Sequence, residues 1–561
     1  MRRAVGLLAV LVLVVICNAQ ENRPKFTART ELVTVPVVVT RSGQFVSGLK
    51  QSDFTVLEND KPQTVAFFEE VHTQPVSSPV NAPGEFSNHH FRLAERPPLT
   101  IILLDRINTP VSEYNNMVDE LKKFVSRYLQ PGTPAMVGEL NRQGLRVLQD
   151  FTTSPEFILD ALNHTAKRLA LSPGLMEDMP VQMTANGAHS ATVPDFPTQD
   201  SRGAYDTSRG PSDTPIAKPI DIATQNIDSD APTGNAQVDL LHEVIVREQQ
   251  EETVTTLHAV EQIARSVFGI PGRKTLIFTS PGFGCPIRPG LMRDLRGKQV
   301  AIAEQCETVW RLLNQANISV YPVVPTQTEN PEFSSTSHSA LIQRNLMLQS
   351  YAAYTGGKVC TYRNDLDECY HRAAEDSLRY YLLSYYAGPT DTPVWRRIQV
   401  RVASPHASVR SRQWYRAEGP ADETLPVERD LASAVVSPVE YAAIPMVVRW
   451  TGVTERDGKR RASFEIRISP ETLTVEDPPN NRLRLEIAAI EMDAAGSVTN
   501  AVRHGIDRQL EARALHDLQA GGLNYTNAIT IAPSAIRVKF VVRDAASGRI
   551  GTVNARVPRW R

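Results

Sequence analysis

The stretch Pro98-Leu99-Thr100-Ile101-Ile102-Leu103-Leu104-Asp105-Arg106-Ile107-Asn108-Thr109 decides how this chain is read. An unbroken apolar run of that length fits a strand in the middle of a parallel sheet, covered on both faces. It ends in an acidic residue and a turn rich in hydrogen-bonding side chains. Open parallel sheets bind ligands beyond the carboxyl ends of their strands, where the strand order reverses. Any site on this chain is therefore expected around Asp105.

Working outward, Tyr114, Met117, Leu121, Phe124, Val125 and Tyr128 recur at helical spacing after that turn. Ala135–Leu140 and Leu145–Gln149 read as strands, and Ser154-Pro155 opens a helix with proline at its first position. Residues 172–235 are dense in Pro, Asp, Ser, Thr and Gly and lack periodicity, so they read as a long insertion that cannot order itself. A helix over Val238–Phe268 then precedes the strand Lys274–Thr279, whose following loop, Ser280-Pro281-Gly282-Phe283-Gly284, should face the Asp105 loop. Helices alternate with the strands Ile318–Val324, Lys358–Tyr362 and Tyr380–Tyr386, and Thr355-Gly356-Gly357 ends one of those helices. This alternation predicts an α/β doubly wound, Rossmann-like domain over residues 97–388.

The flanks read as β-structure. Val33, Val35, Val37 and Val39 keep period two, with Pro36 placing the strand near an edge. Ile398, Val400 and Val402 do the same. Residues 30–73 are expected to be completed by 389–416 into one β-sandwich. Residues 425–561 predict a second sandwich, interrupted by a helix at about Asp507–Leu518. Gln74–Pro98, with His89-His90, reads as a linker.

With 561 residues the chain exceeds a single core, and 22% charged residues with a net charge of −2 give no reason to expect nucleic acid or an anionic membrane as partner. Arg2-Arg3, the apolar run Ala4–Ile16 and Ala19 predict a signal peptide over 1–19 and a secreted or periplasmic protein. No later stretch is long and apolar enough for a membrane span after cleavage. Cleavage removes Cys17 and leaves Cys285, Cys306, Cys360 and Cys369. Four cysteines in an exported chain predict disulfides with three possible pairings, of which neighbour pairing, Cys285–Cys306 and Cys360–Cys369, is the expectation.

Several motifs bear a family resemblance: Val46-Ser47-Gly48-Leu49 with Asp53-Phe54 and Glu58-Asn59-Asp60-Lys61-Pro62-Gln63; Leu103-Leu104-Asp105; Leu148-Gln149-Asp150-Phe151-Thr152; Pro271-Gly272-Arg273-Lys274; Thr355-Gly356-Gly357; and Tyr380–Tyr386. Over roughly Thr30 to Tyr415 the chain resembles the acidobacterial VWFA-related proteins, with a von Willebrand factor type A-like domain. The resemblance implies an exported protein and the motif Asp-x-Ser-x-Ser, whose oxygens hold a metal ion. Mg²⁺ wants six oxygens in near-octahedral geometry, one of them from a partner's carboxylate. Here the motif reads Asp105-Arg106-Ile107-Asn108-Thr109. Asp105, Thr109 and Ser280 are the candidate ligands. Ile107 replaces a coordinating serine, Ser280 stands where the family has an aspartate, and Arg106 adds a positive charge. Thr253, Thr255 and Thr256, the candidates for the remaining threonine, fall inside a helix. The alternative to a variant metal site is a crevice in which Asp105 accepts hydrogen bonds from Thr109, Asn108 and backbone amides.

Catalytic signatures are missing. Ser280 lies in Thr-Ser-Pro-Gly rather than a Gly-x-Ser-x-Gly elbow, His242-Glu243 lacks a second histidine, and no phosphate loop follows a strand. The expectation is an exported, non-catalytic protein-binding or scaffold protein without a cofactor. Mg²⁺-dependent adhesion is the first alternative and an exported hydrolase the second.

Overall fold

The computed structural model describes residues 31–74, 76, 82–88, 97–109, 111–171, 236–282, 298–325, 347–361, 365–417, 427–456, 459–477 and 480–558. The expected signal peptide, the insertion 172–235, His89-His90 and Cys285 lie outside them.

Two antiparallel sheets enclose the first core. In one, Glu31–Arg41 pairs with Arg379–Ala387, which pairs in turn with Val65–His72; in the other, Val394–Val402 pairs with Phe54–Glu58. Val33, Val35, Val37 and Val39 pack against Val56, Tyr381, Leu383, Tyr385 and Ile398 between the sheets. Pro36 faces Leu382 on one side, while the strand Ser408–Ser411 begins on the other side only at Val37. The missing N–H of Pro36 thus lies on an edge, where a proline is tolerated. Asn59 and Asp60, both at positive φ, make the two-residue turn after Phe54–Glu58.

The chain then enters a six-stranded mixed sheet. Its spatial order is Cys360–Thr361, Ile318–Val324, Lys274–Thr279, Leu99–Asp105, Ala135–Asn141 and Gly144–Thr152, the last antiparallel. Every residue of Leu99–Asp105 is buried. One face is covered by helices contributing Leu257, Ile263, Val309 and Leu313, the other by helices contributing Met117, Leu121, Ile158 and Tyr370.

The expected fold class, an α/β doubly wound type A domain combined with sandwiches, does not describe the chain and is corrected. Among the described residues strand makes up 45% and helix 28%, and four of their five sheets are antiparallel. The strand Arg379–Ala387, which sequence periodicity places at the end of the helix–strand alternation, instead joins Glu31–Arg41 antiparallel, with Val35 opposite Leu383. A strand buried on both faces shows the same unbroken apolar run in parallel and antiparallel sheets. Its local pattern cannot reveal its neighbours.

The C-terminal region forms two more antiparallel sheets around Ile466, Phe464, Phe540 and Val542. One of them is completed from the N-terminal side: Glu85–Ser87, within the stretch read as a linker, pairs with Val447–Arg449. Buried Asn88 fixes this joint, donating to the carbonyls of Tyr441 (2.7 Å) and Ile444 (3.0 Å) and accepting from the Met446 N–H (2.8 Å). The expected helix at Asp507 is also corrected. Val498–Gln509 is a strand, with Asp507 opposite Arg484 and bonded to Arg482, and the helix begins at Ala512.

The mixed sheet meets the C-terminal unit through a half-buried carboxyl pair, Asp150 and Glu440. The Glu440 N–H donates to Asp150 Oδ2 (3.3 Å), and Glu440 Oε1 accepts from Asn554 N–H (2.9 Å) and Nδ2 (3.1 Å). Burial, and then the charge of Asp150, push the Glu440 carboxyl up to about 7. Below the ordinary carboxylate range Glu440 is protonated folded and unfolded alike. As pH rises from there to about 7 the unfolded chain ionises first, so stability falls across that window and levels off above it. Glu440→Gln keeps the acceptor and removes the ionisation. Urea unfolding is expected to show the variant gaining roughly 2 kcal/mol over the parent at pH 8 and matching it at pH 4; parallel pH profiles would contradict this assignment.

Candidate binding crevice at the strand ends

From Leu99–Asp105 the chain runs to one side of the mixed sheet, then returns to the other side with Lys274–Thr279. The order reverses between these two strands, so the loops after them meet. Asp105 is fully buried there. Its Oδ1 accepts the N–H groups of Ile107 and Asn108, both at 3.0 Å, which closes the turn on the aspartate side chain. Its Oδ2 accepts Asn108 Nδ2 (2.8 Å) and the Ser280 hydroxyl (2.6 Å). Ser280 is itself held by its N–H on the Val323 carbonyl (3.0 Å), and its Oγ accepts the Gly282 N–H (3.0 Å). Burial raises the Asp105 carboxyl above the usual carboxylate range, and these hydrogen bonds oppose the rise.

The structure joins Asp105 to Ser280 by a hydrogen bond and shows none from Thr109 to either. Thr109 is buried, but its Oγ1 has no hydrogen-bond partner among the described residues. Ile107 packs into the core of the sheet. Arg106 reaches the buried Glu139, 3.9 Å away, which also takes the Tyr114 hydroxyl at 2.6 Å and Arg146 at 3.5 Å. Thr255 and Thr256 spend their hydroxyls on the carbonyls of Glu251 and Glu252 in their own helix. Glu113, which sequence reading passed over, lies in the first turn of the helix Val111–Arg127; burial raises its carboxyl, and its Oε2 has no partner among the described residues.

A carboxylate has about four acceptor positions, and all four on Asp105 are filled from within the protein. The Ser280 hydroxyl is spent on Asp105, and Ile107 offers no oxygen. This donor set does not fit a six-coordinate Mg²⁺. Among the described residues no group of three or more His, Cys, Asp or Glu side chains is arranged to hold a metal.

Cys360 and Cys369 form a disulfide with Cα atoms 6.0 Å apart, joining the edge strand of the mixed sheet to the helix Leu366–Leu378. Cys306 is also disulfide-bonded. No helix among the described residues is long and apolar enough to cross a membrane.

No family model matches the chain, and no curated protein does. Among solved structures, it aligns with the human COPII-coat protein Sec24c at 7% identity and a TM-score of 0.23, covering 58% of this chain and 44% of that one. It aligns with the pilus adhesin SpaC of Lactobacillus rhamnosus GG at 8% identity and a TM-score of 0.24, covering 90% and 60%. The alignments span less than two thirds of either structure, and TM-scores this low carry no structural inference.

Proposed function

We propose that this chain is an exported, non-catalytic binding protein that engages a protein partner at the crevice between the Asp105 and Ser280 loops. The observation that carries the reading is the state of Asp105: buried, with every acceptor position filled by its own loop and by Ser280. Such a carboxylate neither takes a proton from a substrate nor ligates an ion. It braces two loops into one surface. The disulfides favour an oxidising compartment, and the resemblance to VWFA-related proteins supports the same reading.

The test separates brace from ligand. Asp105→Asn keeps one oxygen for the two backbone N–H groups, and the Ser280 hydroxyl can rotate to accept from the new amide. It is expected to cost about 1 kcal/mol and to retain the partner. Asp105→Ala leaves two N–H groups without their acceptor and is expected to cost about 3 kcal/mol and to lose the partner. The readouts are urea unfolding and affinity capture from the native envelope fraction, with and without chelator. Capture that survives in folded Asp105→Ala would remove the crevice from the reading. Capture that fails with chelator, or heat on titration with Mg²⁺, would replace it with metal-dependent adhesion.

A further inference from the structure

The strand Val498–Gln509 ends one sheet of the C-terminal unit. It pairs with Arg482–Met492 on one side and, among the described residues, with no strand on the other. Of its 12 residues only Asn500, Val502 and Ile506 are half-buried, and the rest are exposed. The strand is nonetheless fixed in place. Asn500 Nδ2 donates to the Thr530 carbonyl (3.0 Å) of the facing sheet, and the His504 ring stacks on Tyr525 of the same facing strand, with 5.6 Å between centroids. A long, ordered edge is a template for a further strand, and chains often blunt it with proline or a bulge. Between Asn500 and Gln509 this edge has neither.

Two bonds fix which way its main-chain groups point. The Leu510 N–H donates to the Asn481 carbonyl (2.9 Å), toward the paired strand. The carbonyl of Arg484, which lies opposite Asp507, turns away and accepts the Ala545 N–H (3.0 Å). Main-chain groups alternate in direction along an antiparallel strand, so those of Arg503, Gly505 and Asp507 point to the open side. No turn, loop or side-chain group among the described residues takes them. The sequence around them is self-complementary. Read antiparallel to itself about Gly505, the strand sets Arg503 of one copy opposite Asp507 of the other, twice over, with all three residues at hydrogen-bonded positions. Directly opposed residues share a face, so each guanidinium meets a carboxylate on the exposed side. At present these two groups form surface pairs with Glu486 (3.0 Å) and Arg482 (2.6 Å). Gly505 would sit on the two-fold axis. Its own chain does not ask for a glycine there: φ is not positive, and a Cβ would meet only the Glu486 carboxylate oxygens, at 3.8 and 4.0 Å. Glycine weakens a strand interior and often marks a place where another backbone comes close.

We propose that Val498–Gln509 is a self-association edge: two copies of this chain pair antiparallel through it about Gly505 and join their four-stranded sheets into one. The charge pattern suits a second copy better than an unrelated strand, because the match requires Arg and Asp at equal distances from the centre. The edge shares no residue with the Asp105 crevice, so either reading can fail without the other.

The test uses the full, oxidised chain. Sedimentation velocity between about 1 μM and 1 mM is expected to show a reversible monomer–dimer equilibrium. Gly505→Pro removes one outward N–H and leaves the pairing with Arg482–Met492 intact, since an edge strand tolerates proline where the N–H faces out. Arg503→Glu sets like charges opposite each other. Each should weaken the dimer by about tenfold or more. Lys459→Glu, an exposed change on another hairpin, should leave it unchanged. Thermal unfolding beside the parent checks that each variant keeps the monomer fold. Oxidative cross-linking reads the register. Opposed residues of a hydrogen-bonded pair have Cα atoms about 5.5 Å apart, within disulfide reach, so Gly505→Cys should cross-link between copies. Arg503→Cys, about 14 Å from its counterpart, should not. A chain that stays monomeric to about 1 mM, a dimer untouched by folded Gly505→Pro and Arg503→Glu, or equal cross-linking of the two cysteine variants would each overturn the proposal.

Discussion

Glu58→Ala is expected to destabilise the first sandwich by about 3–5 kcal/mol, the cost of removing one partner of a buried ion pair. Glu58 is buried at the end of its strand and gathers three donors from both sheets. These are the Tyr385 hydroxyl (2.9 Å) from one sheet, and the Tyr415 hydroxyl (2.6 Å) and Arg396 Nη1 (2.9 Å) from the other. Burial and the neighbouring carboxylate drive both phenols upward, so they stay protonated and remain donors. In the alanine variant Arg396 keeps the Tyr415 hydroxyl and a longer bond to the Pro389 carbonyl (3.3 Å) but no counter-charge, and its own charge is left in the interior. Arg397→Ala is the contrast. Its partner Asp60 is largely exposed, and a surface pair of this kind contributes at most about 1 kcal/mol. Urea unfolding followed by near-ultraviolet dichroism should show the first transition moving far for Glu58→Ala and little for Arg397→Ala. Equal shifts would mean that the three donors find other acceptors and that Glu58 does not hold the sheets together.

The contrast between what was legible in the sequence and what was not follows the range of the interactions. Burial of Leu99–Asp105 on both faces follows from its unbroken apolar run, and the inward set Val33, Val35, Val37 and Val39 from alternation; both are local patterns. The meeting of the Asp105 and Ser280 loops was legible because both follow apolar strands and chain direction in a parallel sheet puts such ends together. Pairing partners were not legible. Nothing within Arg379–Ala387 names Glu31–Arg41 as its neighbour some 350 positions earlier, and nothing in Glu85–Ser87 distinguishes a strand of a distant sheet from a linker. At the crevice the expected Thr109 donor is replaced by Ser280, because the turn closes through backbone amides and directs Asp105 toward the next strand's loop. The burial of the charged pair Arg273-Lys274 is likewise not written in its own sequence. Arg273 donates to the Tyr321 hydroxyl (2.7 Å) and the Gly356 carbonyl (2.8 Å), and Lys274 donates to the carbonyls of Ile270 and Ala316. Basic side chains can hide when backbone carbonyls at element ends supply their acceptors.

Gly357→Ala is expected to cost about 3 kcal/mol or more and to lower the yield of folded protein. In the sequence Thr355-Gly356-Gly357 is a helix stop, and Gly356, at φ +80°, performs that role. Gly357 answers to a different constraint. A Cβ on it would lie 1.9 Å from the Val320 carbonyl oxygen and 2.7 Å from its carbon, inside a central strand of the mixed sheet. No rotamer relieves an overlap with backbone, so the strand or the helix end must move. Neither is free to do so. Thr355 Oγ1 accepts the Val320 N–H (2.8 Å), the Ser319 hydroxyl donates to the Thr355 carbonyl (2.9 Å), and the Gly357 N–H donates to Ala352 (2.8 Å). Gly388→Ala supplies the opposite sign. A Cβ there meets nothing within 4 Å and the backbone is not at positive φ, so restricting the unfolded chain should stabilise by about 0.4–1 kcal/mol. Thermal unfolding of the two variants beside the parent decides the matter. If Gly357→Ala melts with the parent, the helix end does not press on the strand, and the second glycine of the motif serves the stop alone.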